Sequence, residues 1–375
     1  MGNIKSVCIF TERWANGGIE SFLSNVLTHM NLTFLSIDIV AVRIEQSIFT
    51  EQLTAHGIQF YELSGNRNHV KENCEQFNKI LIKRKYDVIH VNAFHAGALF
   101  FLYLAKKRDI KIRIAHSHNT AFHKARFGWL KRAIHACSKA LFTSSATDIW
   151  ACSKAAAEFM FYNSKRNPLS YSIIPNGLDT EKFRFSKNVR DRIRKNLGIE
   201  DQILVGHIGR LCYQKNQVFL LSVFAELIKT CPNSRLILVG DGEDRIKLEQ
   251  QAIELKIKDK VIFWGMTCYI EQILWAMDVF VFPSLFEGLG MVAIEAQSAG
   301  LPVICSDQVP IEACVLPSVR RLSLSSGLDK WAKAIEDSCA IMFCRESSVP
   351  IIQKSGFDIA DVVKQVEQTY LKYEL

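Results

Sequence analysis

The chain is short of several features that would fix its class at once. No two of its eleven cysteines form a C-x-x-C, and most of them, such as Cys8, Cys152 and Cys305, fall within apolar runs. They read as small buried hydrophobes of a reducing compartment, not as a disulfide frame or a zinc site. A G-x-G-x-x-G is missing: Gly240-Asp241-Gly242 and Gly288-Leu289-Gly290 both lack the third glycine, which argues against a nicotinamide dehydrogenase. No D-x-D is present to hold a divalent ion against a diphosphate. The most apolar stretch, Ala96 to Ala105, is far below the ~20 residues that span a bilayer. Ile4 to Phe10 reads as a first core strand instead of a secretory leader, and the loose myristoylation match at Met1-Gly2 is set aside for the same reason. Low-complexity tracts and internal repeats of fixed period are absent, so the chain reads as cytoplasmic, or peripheral on the inner face of a membrane.

What is there is an ordinary globular composition, 49% hydrophobic and 22% charged over 375 residues, too long for one comfortable core. Apolar strand runs alternate with amphipathic helices, which predicts parallel sheets covered on both faces. The first series is Ile4–Phe10, Ile37–Val42, Ile58–Tyr61, Val88–Val91, Ile112–Ala115, Ile149–Ser153 and Ser172–Ile174. A second runs through Ile203–Ile208, Leu236–Val239, Val261–Phe263, Val279–Phe282 and Val303–Cys305. The expected architecture is α/β, with doubly wound domains over 1–178 and 201–355, a linker at 179–200 and a terminal helix within 356–375.

Charge is concentrated. Between Tyr103 and Lys139 lie ten basic residues (Lys106, Lys107, Arg108, Lys111, Arg113, Lys124, Arg126, Lys131, Arg132, Lys139) and one acid, Asp109. Phe122, Phe127, Trp129 and Leu130 are interleaved with them. Such a mixture suits an anionic membrane surface or an acidic lipid-linked substrate, and equally a solvated helix face. Nucleic acid is disfavoured, because no recognised binding module accompanies the patch.

The candidate chemistry sits where strands end. Phe286-Glu287-Gly288-Leu289-Gly290-Met291-Val292-Ala293-Ile294-Glu295 joins an apolar strand to a small-residue helix and sets two carboxylates eight positions apart. Glu287 is placed at the strand mouth and Glu295 in the second helical turn. Ligands of open α/β sheets bind beyond the carboxyl ends of the strands. Free N–H groups at such a helix start favour phosphate, while carboxylates accept from hydroxyls. The combination predicts a ligand that is part phosphate and part polyol. Arg210 and Lys215 follow another strand end and supply a planar fork and a compact charge for phosphate oxygens. Gly17-Gly18 precede a first helix and allow close backbone approach. His116-Ser117-His118-Asn119 follows the strand Ile112–Ala115; His90, His95 and His123 read as structural.

With those residues in view, the chain resembles the retaining GT-B glycosyltransferases of family four (glycosyl transferases group 1), in particular bacterial capsule and exopolysaccharide enzymes. The resemblance rests on Gly17-Gly18-Ile19-Glu20, Ala115-His116-Ser117-His118, Ala151-Cys152-Ser153-Lys154, Ile174-Pro175-Asn176-Gly177-Leu178-Asp179, Gly209-Arg210-Leu211 with Gln214-Lys215-Asn216, Val239-Gly240-Asp241-Gly242 and the E-x7-E pair. It implies two Rossmann-like domains facing each other across a cleft, an N-terminal acceptor domain and a C-terminal donor domain. The donor implied is a nucleotide diphosphate sugar, UDP-linked, with no metal or other cofactor, and the acceptor is a saccharide or lipid-linked saccharide. Glu295 would take ribose hydroxyls, Glu287 the donor sugar, and Arg210 and Lys215 the diphosphate. Gly17, Gly18, Gly288, Leu289, Gly290, Met291 and Val292 would line the donor site, with the base near Gly265 and Met266. His118 matches the histidine near the reacting sugar, with His116 as fallback. The terminal helix would cross back to the first domain. A nucleotide-sugar epimerase of similar fold and a non-catalytic subunit of a polysaccharide assembly complex are the competing readings.

Overall fold

A computed structural model describes residues 4–120, 128–161, 170–341 and 344–372. Phe122, His123, Lys124, Arg126 and Phe127, counted above, lie outside the described residues. The chain divides into two compact units. The first runs to Leu178 and takes back the terminal helix Ile359–Tyr370; the second spans Asp179–Asp358.

Unit 1 is built on seven parallel strands: β1 (Lys5–Trp14), β2 (Leu35–Ile44), β3 (Gln59–Glu62), β4 (Val88–Ala93), β5 (Ile112–Ser117), β6 (Asp148–Ala151) and β7 (Ser172–Ile173). Their order is β3-β2-β1-β4-β5-β6-β7, so the winding reverses between β1 and β4. The inner strands are largely apolar on both faces because helices cover both, and Val7, Ile9, Ile39 and Val88 are fully buried. β1 is longer than its apolar run predicts. It continues through Thr11, Glu12 and Arg13 to Trp14 and stays in register with β2, so a stretch expected as loop is strand.

The terminal helix presents Ile359, Val362, Val363, Val366 and Tyr370 to the core of unit 1, where the helix Gly18–His29 supplies Ile19, Phe22, Leu23 and Val26. Spacings of three and four residues put each set on one stripe. Gly177 makes the approach possible: a Cβ there would lie 2.5 Å from Ile359 Cδ1. The Ile359 N–H donates to Leu178 O at 3.0 Å, and Glu367 accepts from the Asn31 N–H at 2.8 Å.

Unit 2 carries β8 (Ile203–Ile208), β9 (Ser234–Val239), β10 (Val261–Gly265), β11 (Val279–Phe282), β12 (Val303–Ser306) and β13 (Val319–Leu322). The order β10-β9-β8-β11-β12-β13 repeats the same winding, with its reversal between β8 and β11. β13 was not expected. Its sequence Val-Arg-Arg-Leu has no apolar run, and an edge strand pairing only with β12 needs none. The stretch expected as a linker, 179–200, is part of this unit. Its helix Lys187–Leu197 aims Arg190 and Arg194 at Asp278, at 2.6 and 3.0 Å, and Asp278 also accepts from the Leu204 N–H at 2.7 Å. Two guanidiniums hydrogen-bonded to one carboxylate dock this helix through charge-assisted bonds.

Candidate functional site

The two winding reversals place the anticipated residues, since each opens a crevice beyond the strand ends. In unit 2, β8 leads into the Arg210–Lys215 loop, and β11 into the turn carrying Glu287. The Lys215 ammonium lies 2.8 Å from Glu287 Oε1, and both side chains are largely buried, 17% and 7% exposed. Gln214 Nε2 donates to Phe286 O at 2.9 Å and reaches Glu287 Oε2 at 3.5 Å. The Lys215 Nζ also stands 4.7 Å over the Phe282 ring. Loop, turn and strand are thereby locked together.

Gly290 ends the turn with φ +88°, a conformation that favours glycine, and a Cβ there would meet the Phe282 ring at 3.0 Å. The helix Met291–Ser298 begins at once, so its first-turn N–H groups, including those of Met291 and Val292, have no intrahelical partner. Gly288, Leu289 and Gly290 form the approach to that helix start. Glu295, one helical turn further, is half-buried. Burial pushes its carboxyl up to about 7, against the lowering effect of Lys182 and Lys215. The loop, turn and helix start thus carry a cation and N–H donors, which can hold a phosphate, and two carboxylates, which can accept from hydroxyls.

Arg210 stands apart from that cluster. Its Nε donates to Glu243 at 3.0 Å, and the side chain is 66% exposed. Met266 is exposed, just beyond Gly265 at the end of β10, whose carbonyl accepts from the Gly240 N–H at 2.8 Å. Sequence reasoning missed the buried pair His207 and Gln217, 3.1 Å apart. Gln217 also donates to Arg210 O at 2.9 Å and so fixes the loop that carries the two cations.

In unit 1, Gly17 caps the helix Gly18–His29, and Glu20 folds back so that its carboxylate accepts from the Ala15 N–H at 3.0 Å. A Cβ on Gly17 would come within 2.7 Å of Glu20 Oε2, whereas one on Gly18 would meet nothing. The first glycine therefore makes room for the Glu20 hook, and Gly18 leaves an open approach.

His118 and His116 occupy different surroundings. His118 is half-buried at the sheet mouth, with Nε2 2.8 Å from Asn92 Oδ1. Its Nδ1 and the Asn92 Nδ2 are buried with no hydrogen-bond partner among the described residues. Burial holds its imidazole down at about 3, so the ring is neutral. His116 faces inward and is fully buried. Its Nδ1 lies 3.2 Å from His90 Nε2, and His90 Nδ1 lies 2.7 Å from the Tyr370 hydroxyl of the terminal helix. If Tyr370 donates, the His90 proton sits on Nε2 and the His116 proton is forced onto its own Nε2.

Among the described residues, no helix is long and apolar enough to cross a membrane, and no group of three or more His, Cys, Asp or Glu side chains is arranged to hold a metal ion. All eleven cysteines are free thiols.

Comparison with known proteins agrees with this geometry. The family model Glycosyltransferase Family 4 matches residues 16–182, and Glycosyl transferases group 1 matches residues 189–338. EpsF of Bacillus subtilis (strain 168), named as a glycosyltransferase, is 31% identical over 329 residues, which cover 86% of this chain and 85% of EpsF. The UDP-Gal:alpha-D-GlcNAc-diphosphoundecaprenol alpha-1,3-galactosyltransferase of Escherichia coli is 27% identical, covering 78% of this chain and 77% of its own. Among solved structures, Anabaena Alr3699/HepE in complex with UDP-glucose superposes with a TM-score of 0.79 at 20% identity, over 98% of this chain and 99% of HepE. The two parallel sheets with one winding order, the Lys215–Glu287 cluster and these matches together make the chain a glycosyltransferase of the GT-B fold, belonging to the group 1, family 4 glycosyltransferases.

Proposed function

We propose that the enzyme moves a sugar from a UDP-sugar to a saccharide or lipid-linked saccharide acceptor, with retention of anomeric configuration and without a metal, in capsular or exopolysaccharide synthesis. The observation that carries this reading is the buried Lys215–Glu287 pair beside the open N-terminus of the helix Met291–Ser298. Lys215 and the helix N–H groups would hold the diphosphate, Glu287 the donor sugar, and Glu295 the ribose hydroxyls. Arg210 is exposed and would swing from Glu243 to a phosphate oxygen. The sugar C1–O bond to the diphosphate breaks, and a bond from C1 to the acceptor oxygen forms. The acceptor proton passes to the departing diphosphate. Preorganised charge at the leaving group supplies the main acceleration. His118, neutral at the mouth of unit 1, is suited to hydrogen-bond a sugar hydroxyl. Support for the UDP donor comes from HepE, solved with UDP-glucose, and from the UDP-Gal-dependent relative. The lack of any D-x-D supports metal independence.

The same reading puts the enzyme on the cytoplasmic face of a membrane. The helix Gly128–Phe142 is turned so that His135 and Ser138 face inward, while Trp129, Leu130, Ile134 and Leu141 are exposed beside Lys131 and Arg132. A helix with its apolar stripe outward and cations at its rim suits an anionic lipid surface.

The deciding experiment incubates the enzyme in EDTA with a panel of UDP-sugars and a bacterial lipid extract, and follows sugar-lipid formation and its anomeric configuration by NMR. Transfer with retention is expected. No transfer with any donor, inverted product, or conversion of the donor sugar without acceptor would each overturn the reading.

A further inference from the structure

Beneath the loop that carries Arg210 and Lys215, unit 2 holds a buried polar relay. His207 is the penultimate residue of β8, and Gln217 is the first of the helix Gln217–Thr230; both are buried. His207 Nδ1 lies 2.9 Å from Val281 O, and His207 Nε2 lies 3.1 Å from Gln217 Nε2. Gln217 Nε2 in turn lies 2.9 Å from Arg210 O. A carbonyl oxygen can only accept, so the imidazole proton sits on Nδ1 and donates to Val281 O. In the neutral ring Nε2 is then an acceptor, and it takes one N–H of the Gln217 amide. The second N–H of that amide goes to Arg210 O. The ring thus dictates which way the amide faces.

Burial holds the His207 imidazole down at about 4, and the Lys215 ammonium adds to the lowering, so the ring is neutral at neutral pH. A protonated ring would point an N–H at the amide's own N–H group. The amide would then have to turn over and face Arg210 O with its oxygen. The relay fixes the start of a loop whose far end is fixed on the β11 turn. There Asn216 Nδ2 donates to Pro283 O at 3.2 Å, the Leu285 N–H donates to Gln214 O at 2.8 Å, and Lys215 meets Glu287. The β8–β11 ladder itself pairs only Val205 with Val279 and Gly206 with Phe280. The His207 side chain extends that link to Val281, on the strand that leads to Glu287.

We propose that His207 and Gln217 are positioning residues for the donor diphosphate: the neutral imidazole orients the Gln217 amide, which anchors the start of the Arg210–Lys215 loop and so holds the Lys215 ammonium at the leaving group. Neither residue touches the ligand, and both act through Lys215. The role of the pair rests on the donor reading of Lys215 given above; the placement of the protons along the relay does not.

The test is a double-mutant cycle on the full-length enzyme, with UDP affinity read by calorimetry and the relay by imidazole ¹H–¹⁵N spectra. In the wild type the His207 signals, assigned through His207→Leu, should show a proton on Nδ1 and none on Nε2. Lys215→Ala should weaken UDP binding by about tenfold or more, the scale of one charge-assisted hydrogen bond. Gln217→Met keeps the length of the side chain and removes both N–H donors, and it should weaken UDP binding by about fivefold, the scale of one neutral hydrogen bond. In the Lys215→Ala background Gln217→Met should add no further loss, because the ammonium it positions is gone. His207→Leu should reproduce both results, and it decides the matter if Gln217→Met does not fold. A pair that only supports the fold would lower Tm, leave UDP affinity at the wild-type value and so overturn the proposal. A proton on His207 Nε2, or losses that add in the double variant, would overturn it as well. Wild-type UDP affinity in Lys215→Ala would instead refute the donor reading, and the role of the pair with it, while the His207 spectrum would still decide the placement of the protons.

Discussion

Removing the Lys215 side chain should separate stability from catalysis. In the wild type its ammonium lies 2.8 Å from a carboxylate that is only 7% exposed. Lys215→Ala removes the ammonium from the Glu287 carboxylate and the cation over Phe282. Breaking a fully buried pair costs about 3–5 kcal/mol. Lys215 keeps some solvent contact, and a discounted cost of about 2–3 kcal/mol is appropriate. For a unit of this size that lowers Tm by roughly 4–12 °C. Adding Glu287→Gln removes the buried charge that has lost its ammonium, so Lys215→Ala/Glu287→Gln should regain most of the loss. Activity should not follow. Loss of one preorganised charge at the leaving group costs ~10²–10³ in rate, and the double variant should stay at or below the single one. Calorimetry of unit 2 unfolding and initial rates at saturating donor measure the two effects. If Lys215→Ala keeps its rate within threefold, or the double variant recovers activity together with Tm, the diphosphate role of Lys215 is wrong.

Three further perturbations test other parts of the structure. Gly177→Ala would put a methyl 2.5 Å from Ile359 Cδ1 and 3.2 Å from the Ile359 backbone, so the terminal helix must shift, at a cost of about 1–3 kcal/mol. Limited proteolysis should then cut near Gly356 faster than in the wild type. Tyr370→Phe deletes the hydroxyl beside His90 Nδ1; if that hydroxyl donates, imidazole NMR of the variant should show His116 as a mixture of tautomers, and unchanged His116 signals would rule out the relay. Glu295→Gln tests burial at the ribose position. A carboxyl raised to about 7 in the folded state favours folding while protonated, and loses that contribution as pH rises from its ordinary value through 7. Ligand-free wild type should therefore lose up to about 3 kcal/mol relative to Glu295→Gln over that range, and equal pH profiles would contradict it.

Much of the fold was legible because buried parallel strands need apolar side chains on both faces. β8 and β11 begin and end where their apolar runs do. β13 escaped notice because an edge strand tolerates Arg320 and Arg321. The carboxylate spacing of Glu287 and Glu295 was readable, since both are fixed by one local strand–turn–helix. Arg210 was only half readable: sequence puts it after a strand but says nothing of Glu243, which the Gly240–Gly242 turn brings alongside. The Glu12–His95 contact was unreadable for a similar reason. Polar Glu12 and Arg13 resemble a loop, and only the β1–β4 pairing brings Glu12 to His95.

The donor site is tested most directly by a crystal structure of the enzyme grown with UDP. The diphosphate should lie on Lys215 Nζ and the N–H groups at Met291 and Val292, with the ribose hydroxyls on the Glu295 carboxylate. A diphosphate bound away from Lys215, or a ribose that leaves Glu295 untouched, would contradict the assignment of this crevice to the donor.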